Sequence, residues 1–228
     1  MNVSSGQSVE LAAQAYGDHG EPIVILHGLL GSGRNWTTIA RQLGRSYRVV
    51  TLDLRNHGGS PWADEVTYEA MAGDVRAFVE HAGLGPVTLI GHSMGGKTAM
   101  HLALTASSLI RRLVVVDIAP VAYRQGFGSY VEAMRAIDVE GLSSRGEIDQ
   151  RLAGEVPEPA VRAFLLQNLA RRDTGFAWRA NLAALASGIP ALTSFPNQGQ
   201  SVFSSPALFL AGANSDYVQA GHGAEIER

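Results

Sequence analysis

The sequence has 228 residues, a net charge of −3 and no cysteine. This length suits one domain with a small inserted subdomain, and the missing cysteine excludes disulfides, thiolate metal sites and a cysteine nucleophile. Charges of both signs are mixed along the chain, so we expect a small-molecule partner and no nucleic acid.

Short apolar runs alternate with helical patterns, which predicts an α/β fold with a mostly parallel sheet flanked by helices. Val9–Ala15 is predicted as an antiparallel first strand. Five later runs are short, rich in β-branched residues and followed by turn residues, as is typical of buried strands. These runs are Ile23–Leu26, Val49–Leu54, Val87–Ile90, Leu113–Val116 and Ala207–Ala211. The helices between them are predicted at Trp36–Gln42, Tyr68–Ala82 and Lys97–Ala106.

The alternation stops between Pro120 and Ser205, where the pattern predicts helices and no strand. Amphipathic runs in this stretch are Ser129–Ile137, Arg145–Leu152, Pro159–Ala170 and Trp178–Ala186. A loop of that length without structure is implausible in a compact domain. We therefore predict a core of residues 1–119 and 206–228 and a helical cap of residues 120–205 over the carboxyl edge of the sheet.

One serine lies between glycines in the stretch GHSMGGK, residues 91–97. Ser93 follows a predicted strand and precedes a predicted helix, which is the context that the G-x-S-x-G nucleophile elbow requires. Glycines on both sides relieve the crowding of a sharp turn, and the N-terminus of the following helix favours a nearby anion. We predict that Ser93 is a nucleophile.

A second glycine-rich loop, HGLLGSGRNW, begins at His27. Acyl transfer builds negative charge on the carbonyl oxygen of the substrate, and a backbone N–H aimed at that oxygen contributes on the order of 10²–10³ in rate. The N–H groups of Leu29 and Met94 are the candidate donors. Gly28 has no side chain to obstruct the approach.

The motifs HGLLGSGRNW, LDLRNHGGSP, GHSMGGKTAM, VVVDIAP and FLLQNLARR…FAWRANL together resemble the α/β-hydrolases. More narrowly, they are similar to the small bacterial esterases of the YbfF type and their mitochondrial relatives. The resemblance covers nearly the whole chain. It implies hydrolysis of short acyl esters or thioesters by a serine carboxylesterase that uses no cofactor and no metal.

A serine hydrolase of this kind needs a carboxylate that orients a histidine. Asp117 ends the run LVVV and Asp216 follows the last predicted strand, so both are candidates and the choice stays open. The resemblance favours Asp117, because the YbfF-type esterases often have a non-acidic residue at the position of Asp216. The unsuccessful candidate would instead cap a loop, and Asp216 could cap a helix beginning near Val218.

The usual catalytic histidine is missing from this sequence. His222 trails Asp216 by only six residues, whereas the resembling esterases place another strand, a GHW motif and another helix there. We expect a chain that stops early, and therefore either a piece of a longer gene product or a protein that behaves poorly in solution. Its predicted strand Ala207–Ala211 would then be an exposed edge open to self-association.

Further residues are assigned to the substrate pocket: His27, Gly28, His92 and Trp178. Lys97 is predicted as a surface or helix-facing lysine, and Arg55 and Asn56 as residues that order a loop. The start of the chain shows no basic segment followed by an apolar one, and no run reaches the roughly 18 apolar residues of a membrane helix. These features predict a cytoplasmic protein without membrane partners.

Two rivals remain beside the esterase. A hydrolase of the same fold could cleave carbon–carbon bonds in β-diketone-like substrates. The motif around Ser93 does not distinguish this activity from ester hydrolysis. A catalytically impaired or non-enzymatic ligand-binding chain is the second rival, and the missing histidine favours it.

Overall fold

The computed structural model describes residues 6–123, 128–197 and 199–227. Within these ranges the chain forms eight strands and eight α-helices. The strands are β1 (Ala13–Tyr16), β2 (Pro22–Leu26), β3 (Arg48–Leu52), β4 (Val87–His92), β5 (Ile110–Val116), β6 (Leu169–Arg171), β7 (Phe176–Trp178) and β8 (Ala207–Leu210). The helices are α1 (Thr37–Leu43), α2 (Tyr68–His81), α3 (Met94–Thr105), α4 (Gly128–Arg135), α5 (Arg145–Leu152), α6 (Pro159–Leu165), α7 (Leu182–Thr193) and α8 (Gly223–Glu227).

The main sheet has six strands in the order β1-β3-β2-β4-β5-β8. β1 runs antiparallel to β3, and every other neighbouring pair in this sheet is parallel. The central strands are apolar on both faces because helices cover them; Val24, Ile25 and Leu89 are fully buried. The predicted α/β fold with a mostly parallel sheet is confirmed.

The first strand begins later than the sequence indicates. β1 starts at Ala13 instead of Val9. The N–H of Val9 donates to Asp74 Oδ1 at 2.8 Å, and the N–H of Ala12 donates to Ser60 Oγ at 2.8 Å. These two backbone N–H groups therefore donate to side chains instead of to a neighbouring strand.

The prediction that residues 120–205 contain no strand is wrong. β6 and β7 form an antiparallel hairpin in which Leu169 pairs with Trp178. Gly175, at φ 80°, lies in its turn. The hairpin also explains why α7 begins at Leu182 and not at Trp178, with the side chain of Asn181 accepting the Ala184 N–H as the helix cap.

The strand β8 lies at the edge of the described sheet. Its residues Leu208 and Leu210 are 52% and 46% exposed. Self-association through this edge stays a prediction. Among the residues that the structure describes, no helix has the length and apolarity needed to cross a bilayer.

The loop after β3 is anchored by a buried ion pair. The Arg55 guanidinium donates to Asp74 from Nε at 2.6 Å and from Nη2 at 2.8 Å, and the two side chains are 3% and 0% exposed. Asn56 adds a second anchor, since its Oδ1 accepts the Ala63 N–H at 2.8 Å and the Asn181 side chain at 3.0 Å. The predicted loop-ordering role of Arg55 and Asn56 is confirmed.

Candidate active site

Ser93 occupies the turn between β4 and α3. Its backbone has φ 50° and ψ −116°, in a region that non-glycine residues seldom enter. The turn is held because the Ser93 N–H donates to Val116 O at 3.1 Å and the Ser93 carbonyl accepts the Lys97 N–H at 3.0 Å. In the described part of the chain no hydrogen bond is assigned to the Ser93 hydroxyl, which leaves its Oγ available to a ligand.

Glycines permit the close packing around this turn. A Cβ on Gly91 would collide with the carbonyl oxygen of Gly95, and a Cβ on Gly95 would lie 2.5 Å from His27 O. A Cβ on Gly28 would lie 2.9 Å from His92 Nδ1 and 3.3 Å from Ser93 Cβ. The loop after β2 can therefore approach the nucleophile only because these positions have no side chain.

We expect Gly95→Ala to destabilise the fold by more than about 2 kcal/mol, because a methyl group would meet strand backbone that cannot move aside. Gly73→Ala is the matched control: it also lies inside a helix, and nothing lies within 4 Å of its Cβ position. That control should stabilise the protein by about 0.5–1 kcal/mol. Urea unfolding measures both changes, and equal stability of the two variants would contradict the packing argument.

Two backbone N–H groups lie beside Ser93 as candidate oxyanion donors. Met94 is the first residue of α3, and Leu29 lies in the loop after β2. Within the described ranges neither N–H is assigned a hydrogen bond. The next residue, Leu30, has φ 59°; its N–H donates to His57 Nε2 at 3.1 Å and its carbonyl accepts the Asn168 side chain at 2.8 Å. These two bonds hold the peptides that follow Leu29, and the Gly28 carbonyl, which shares a peptide group with the Leu29 N–H, accepts the Gly31 N–H at 3.0 Å.

His27 and His57 are structural, neutral imidazoles. His27 Nδ1 donates to Gly28 O at 2.8 Å, and its Nε2 accepts the Leu54 N–H at 2.9 Å. His57 Nδ1 donates to Arg55 O at 2.9 Å, so its Nε2 is free to accept the Leu30 N–H. Burial lowers the pKa of His27 to about 4 and that of His57 to about 3. Both rings are fully engaged and neither can serve as a base for Ser93.

The two candidate acids differ in burial and in their hydrogen bonds. Asp117 follows β5 directly, has φ 56° and is half-buried. Its Oδ1 accepts the Gly212 N–H at 3.0 Å and its Oδ2 accepts the Ser215 hydroxyl at 2.8 Å. Asp216 is exposed, and no side-chain hydrogen bond is assigned to it in the described ranges. Nor does it cap a helix, since the 3₁₀ turn beginning at Ala220 has Gln219 as its cap.

No hydrogen bond in the described structure joins a histidine to Ser93 or to Asp117. His92 precedes Ser93 in the chain; burial lowers the pKa of its imidazole, and the Asp117 carboxylate partly opposes that shift. His222 Nδ1 accepts the Gln219 N–H at 3.3 Å, and its ring stands 6.2 Å from the ring of Tyr123. The effect on His92 means that the Asp117 carboxylate is close enough to influence an imidazole beside Ser93.

Ser93 lies between two cavities of different size. One is an open cleft of about 410 Å³, lined by His27, Gly28, Leu29, Gly31, Asn35, Trp36, Ile39, His92, Ser93, Val116 and Phe164. The other has a volume of about 40 Å³ and is lined by Leu29, Tyr68, Ser93, Met94, Lys97, Ile118, Tyr123, Ile189, Leu192, Thr193 and Tyr217. The nucleophile candidate thus lines both a large cavity and a small one.

The structure brings most of the predicted site residues to the two cavities; Asp117 and Asp216 line neither cavity, and Trp178 and Lys97 also differ from the prediction. Trp178 lines neither cavity; it pairs within the hairpin and packs against the core. Lys97, predicted at the surface or facing a helix, is 1% exposed and lines the small cavity. Sequence reasoning also missed Tyr68 and Tyr123, which line the same cavity. A signal for Lys97 was present, since it is the only lysine beside 17 arginines.

Comparison with known proteins gives one consistent result. A sequence profile of the alpha/beta hydrolase fold matches residues 21–227. The chain is 44% identical over 216 residues to the mouse (Mus musculus) sn-1-specific diacylglycerol lipase ABHD11, covering 90% of this chain and 69% of that protein. It is 34% identical to esterase YbfF of Escherichia coli, covering 86% and 76%. A solved marine microorganism esterase superposes with a TM-score of 0.92 at 37% identity, covering 94% of this chain and 85% of the other.

Proposed function

The chain belongs to the α/β-hydrolase family, and from that membership we propose that it is a serine hydrolase that cleaves short carboxylic esters or thioesters through an acyl-Ser93 intermediate. Relatives named as an esterase and a lipase support ester bonds as the substrate class. The likeness at 37–44% identity supports transfer of the reaction type.

The observation that carries the proposal is the position of Ser93. A strained turn presents an unbonded hydroxyl between two cavities, beside two backbone N–H groups that have no other assigned partner in the described chain. An ester bound with its carbonyl at Ser93 would place its acyl group on one side and its leaving group on the other. The cavity of about 40 Å³ holds roughly three water-sized groups, which matches a short acyl chain, and the cleft of about 410 Å³ accepts a larger alcohol or thiol.

The reaction then proceeds in two displacements. Ser93 Oγ attacks the acyl carbon while a general base other than His27 and His57 accepts its proton, and the N–H groups of Leu29 and Met94 bind the negative oxygen of the tetrahedral intermediate. The bond to the alcohol or thiol breaks and the leaving group takes up the proton. Water repeats the attack on acyl-Ser93 and releases the acid. Asp117 orients the base and stabilises its cationic form.

We also assign residues 120–205 as a cap that sets acyl length and excludes water. Side chains from this stretch contribute to both cavities: Phe164 of α6 lines the cleft, and Ile189 and Leu192 of α7 line the small cavity. Further support comes from a hydrogen bond between the core and the cap, in which the Asn35 side chain donates to Gln167 Oε1 at 2.8 Å.

Hydrolysis of p-nitrophenyl acetate by Asp117→Asn and Asp216→Asn tests the proposal. We expect Asp117→Asn to lower kcat by on the order of 10²-fold or more, because the triad carboxylate holds the base in its working tautomer. Asp216→Asn, an exposed carboxylate nearby, is the matched control and should change kcat less than twofold. A larger loss in Asp216→Asn would reverse the assignment. A vinylogous diketone in the same assay separates the carbon–carbon rival, and turnover of neither substrate would favour a ligand-binding chain.

A further inference from the structure

Lys97 is an unusual residue for its position. It is the only lysine in a sequence with 17 arginines, it lies one helical turn after Ser93 on α3, and it is 1% exposed. No ion pair among the described residues includes it. A buried ammonium without a carboxylate is costly unless other groups replace its water, so its surroundings need an explanation.

Backbone carbonyls and aromatic rings replace that water. Lys97 Nζ donates to Ser194 O at 2.5 Å and to Thr193 O at 3.4 Å. The ammonium also lies 4.8 Å from the ring centroid of Tyr123 and 5.6 Å from that of Tyr68, within the range of cation–π attraction.

Those carbonyls belong to the end of α7, where Thr193 is the last helical residue and Ser194 is the C-cap. The last carbonyls of a helix lack intrahelical partners and carry partial negative charge, which a cation stabilises. Lys97 therefore caps a helix that lies about ninety residues later in the chain. Lys97 thereby ties the cap region, residues 120–205, to the helix that begins after Ser93.

The groups that Lys97 holds form one wall of the small cavity. Tyr123 and Thr193 line that cavity together with Ser93 and Met94. The Tyr123 backbone is tied to the same place, since its N–H donates to Thr193 O at 2.8 Å. The position of the end of α7 thus sets how much room an acyl group has beside the nucleophile.

We propose that Lys97 is a positioning residue that holds the end of α7 and the Tyr123 ring against the acyl cavity and so restricts the acyl group to about two or three carbons. The inference rests on the proposed function, because it takes Ser93 as the nucleophile and the small cavity as the acyl site. Lysine suits this role since its long stem brings a compact charge to two carbonyls between two rings, whereas the planar guanidinium needs a wider set of acceptors.

Burial lowers the pKa of Lys97 to about 8. The ammonium is therefore charged at pH 7 and loses its proton as the pH rises through about 8. The titratable groups facing it are the hydroxyls of Tyr68 on α2, Tyr123 after β5 and Tyr217 after β8. Burial raises the pKa of all three, so they stay neutral over this range. Loss of the charge weakens the hold on α7 and should relax the limit on acyl length.

The test compares two p-nitrophenyl phosphonates, one with a methyl and one with an octyl chain on phosphorus, as traps for Ser93. The measured quantity is the ratio of their second-order labelling rate constants, methyl over octyl, in which the efficiency of the base cancels. We expect Lys97→Met to lower this ratio by about tenfold or more at pH 7, the discrimination that one or a few methylenes command in a fitted pocket. Arg135→Met, which removes an exposed cation paired with Glu132, is the matched control and should leave the ratio unchanged.

The wild-type protein supplies an independent measurement if Lys97→Met does not fold. Labelling with ζ-¹⁵N-lysine gives a single side-chain resonance, whose titration reports the pKa of Lys97 directly. The methyl-to-octyl ratio of the wild type should fall between pH 7 and pH 9 with the same midpoint, whereas that of a folded Lys97→Met should not. The inference would be overturned by an unchanged ratio in Lys97→Met, or by a wild-type ratio that stays constant over the pH range in which Lys97 loses its proton. Absence of any labelling at Ser93 would instead overturn the proposed function.

Discussion

Ser93→Ala should abolish covalent labelling of the chain by a fluorophosphonate probe. We expect the labelling rate constant to fall by more than about 10²–10³-fold, since the loss of a single oxyanion donor already costs that much and this substitution removes the attacking atom. Peptide mass mapping of the labelled wild type should place the adduct on the peptide that contains Ser93. Hydrolysis of p-nitrophenyl acetate should be lost in parallel.

The control for this substitution is another serine on a helix. Ser187 is exposed on α7, and its hydroxyl donates to the Ala183 carbonyl as helical serines commonly do. Ser187→Ala should label like the wild type, because that hydroxyl is bonded within its own helix and lines neither of the two cavities at Ser93. If Ser93→Ala labels as fast as Ser187→Ala, the nucleophile assignment is wrong.

The expectation for Ser93 depends on local backbone geometry that the sequence could predict. A strand, a serine between glycines and a helix leave few ways to build the turn, and the backbone atoms that a Cβ at Gly91 or Gly95 would meet explain why glycine is required there. The strand positions followed from the same kind of local information. Buried parallel strands are short and β-branched, and such runs contrast with the amphipathic helices around them.

What the sequence could not predict depends on partners far away in the chain. The hairpin of β6 and β7 has only three residues in each strand, too few for an alternating pattern to stand out. The burial of Lys97 is decided by carbonyls at Thr193 and Ser194, which no local pattern around position 97 reveals. The different environments of Asp117 and Asp216 likewise depend on the distant loop at Gly212 and Ser215, which binds the Asp117 carboxylate.

The second large effect concerns stability. We expect Asp74→Ala to lower the free energy of unfolding by about 3–5 kcal/mol, because it leaves the Arg55 guanidinium buried without its carboxylate. It also removes the acceptor of the Val9 N–H. Since domains of this kind are stable by only about 5–15 kcal/mol, the loss should be plain in urea or thermal unfolding.

Arg76→Ala is the matched control, because Arg76 lies on the same helix and pairs with Glu80 at the surface, where the side chains are 56% and 44% exposed. An exposed pair at this spacing contributes about 0.3–0.5 kcal/mol. Asp74→Asn should fall between the two, as it removes the charge and keeps an oxygen for Val9. A change below 1 kcal/mol in Asp74→Ala would contradict the assigned role of the pair.

The consequences of Asp74→Ala should also reach the site. Arg55 donates to the carbonyls of Glu65 and Gln7 as well as to Asp74, so the guanidinium cannot simply turn to solvent when its carboxylate is removed. The carbonyl of Arg55 in turn accepts from His57 Nδ1, which fixes the tautomer that receives the Leu30 N–H. Displacement of Arg55 would therefore loosen the loop that carries the proposed Leu29 donor. We expect the folded fraction of Asp74→Ala to label more slowly at Ser93 than Arg76→Ala does, because the ion pair stabilises the fold and the oxyanion loop through the same contacts.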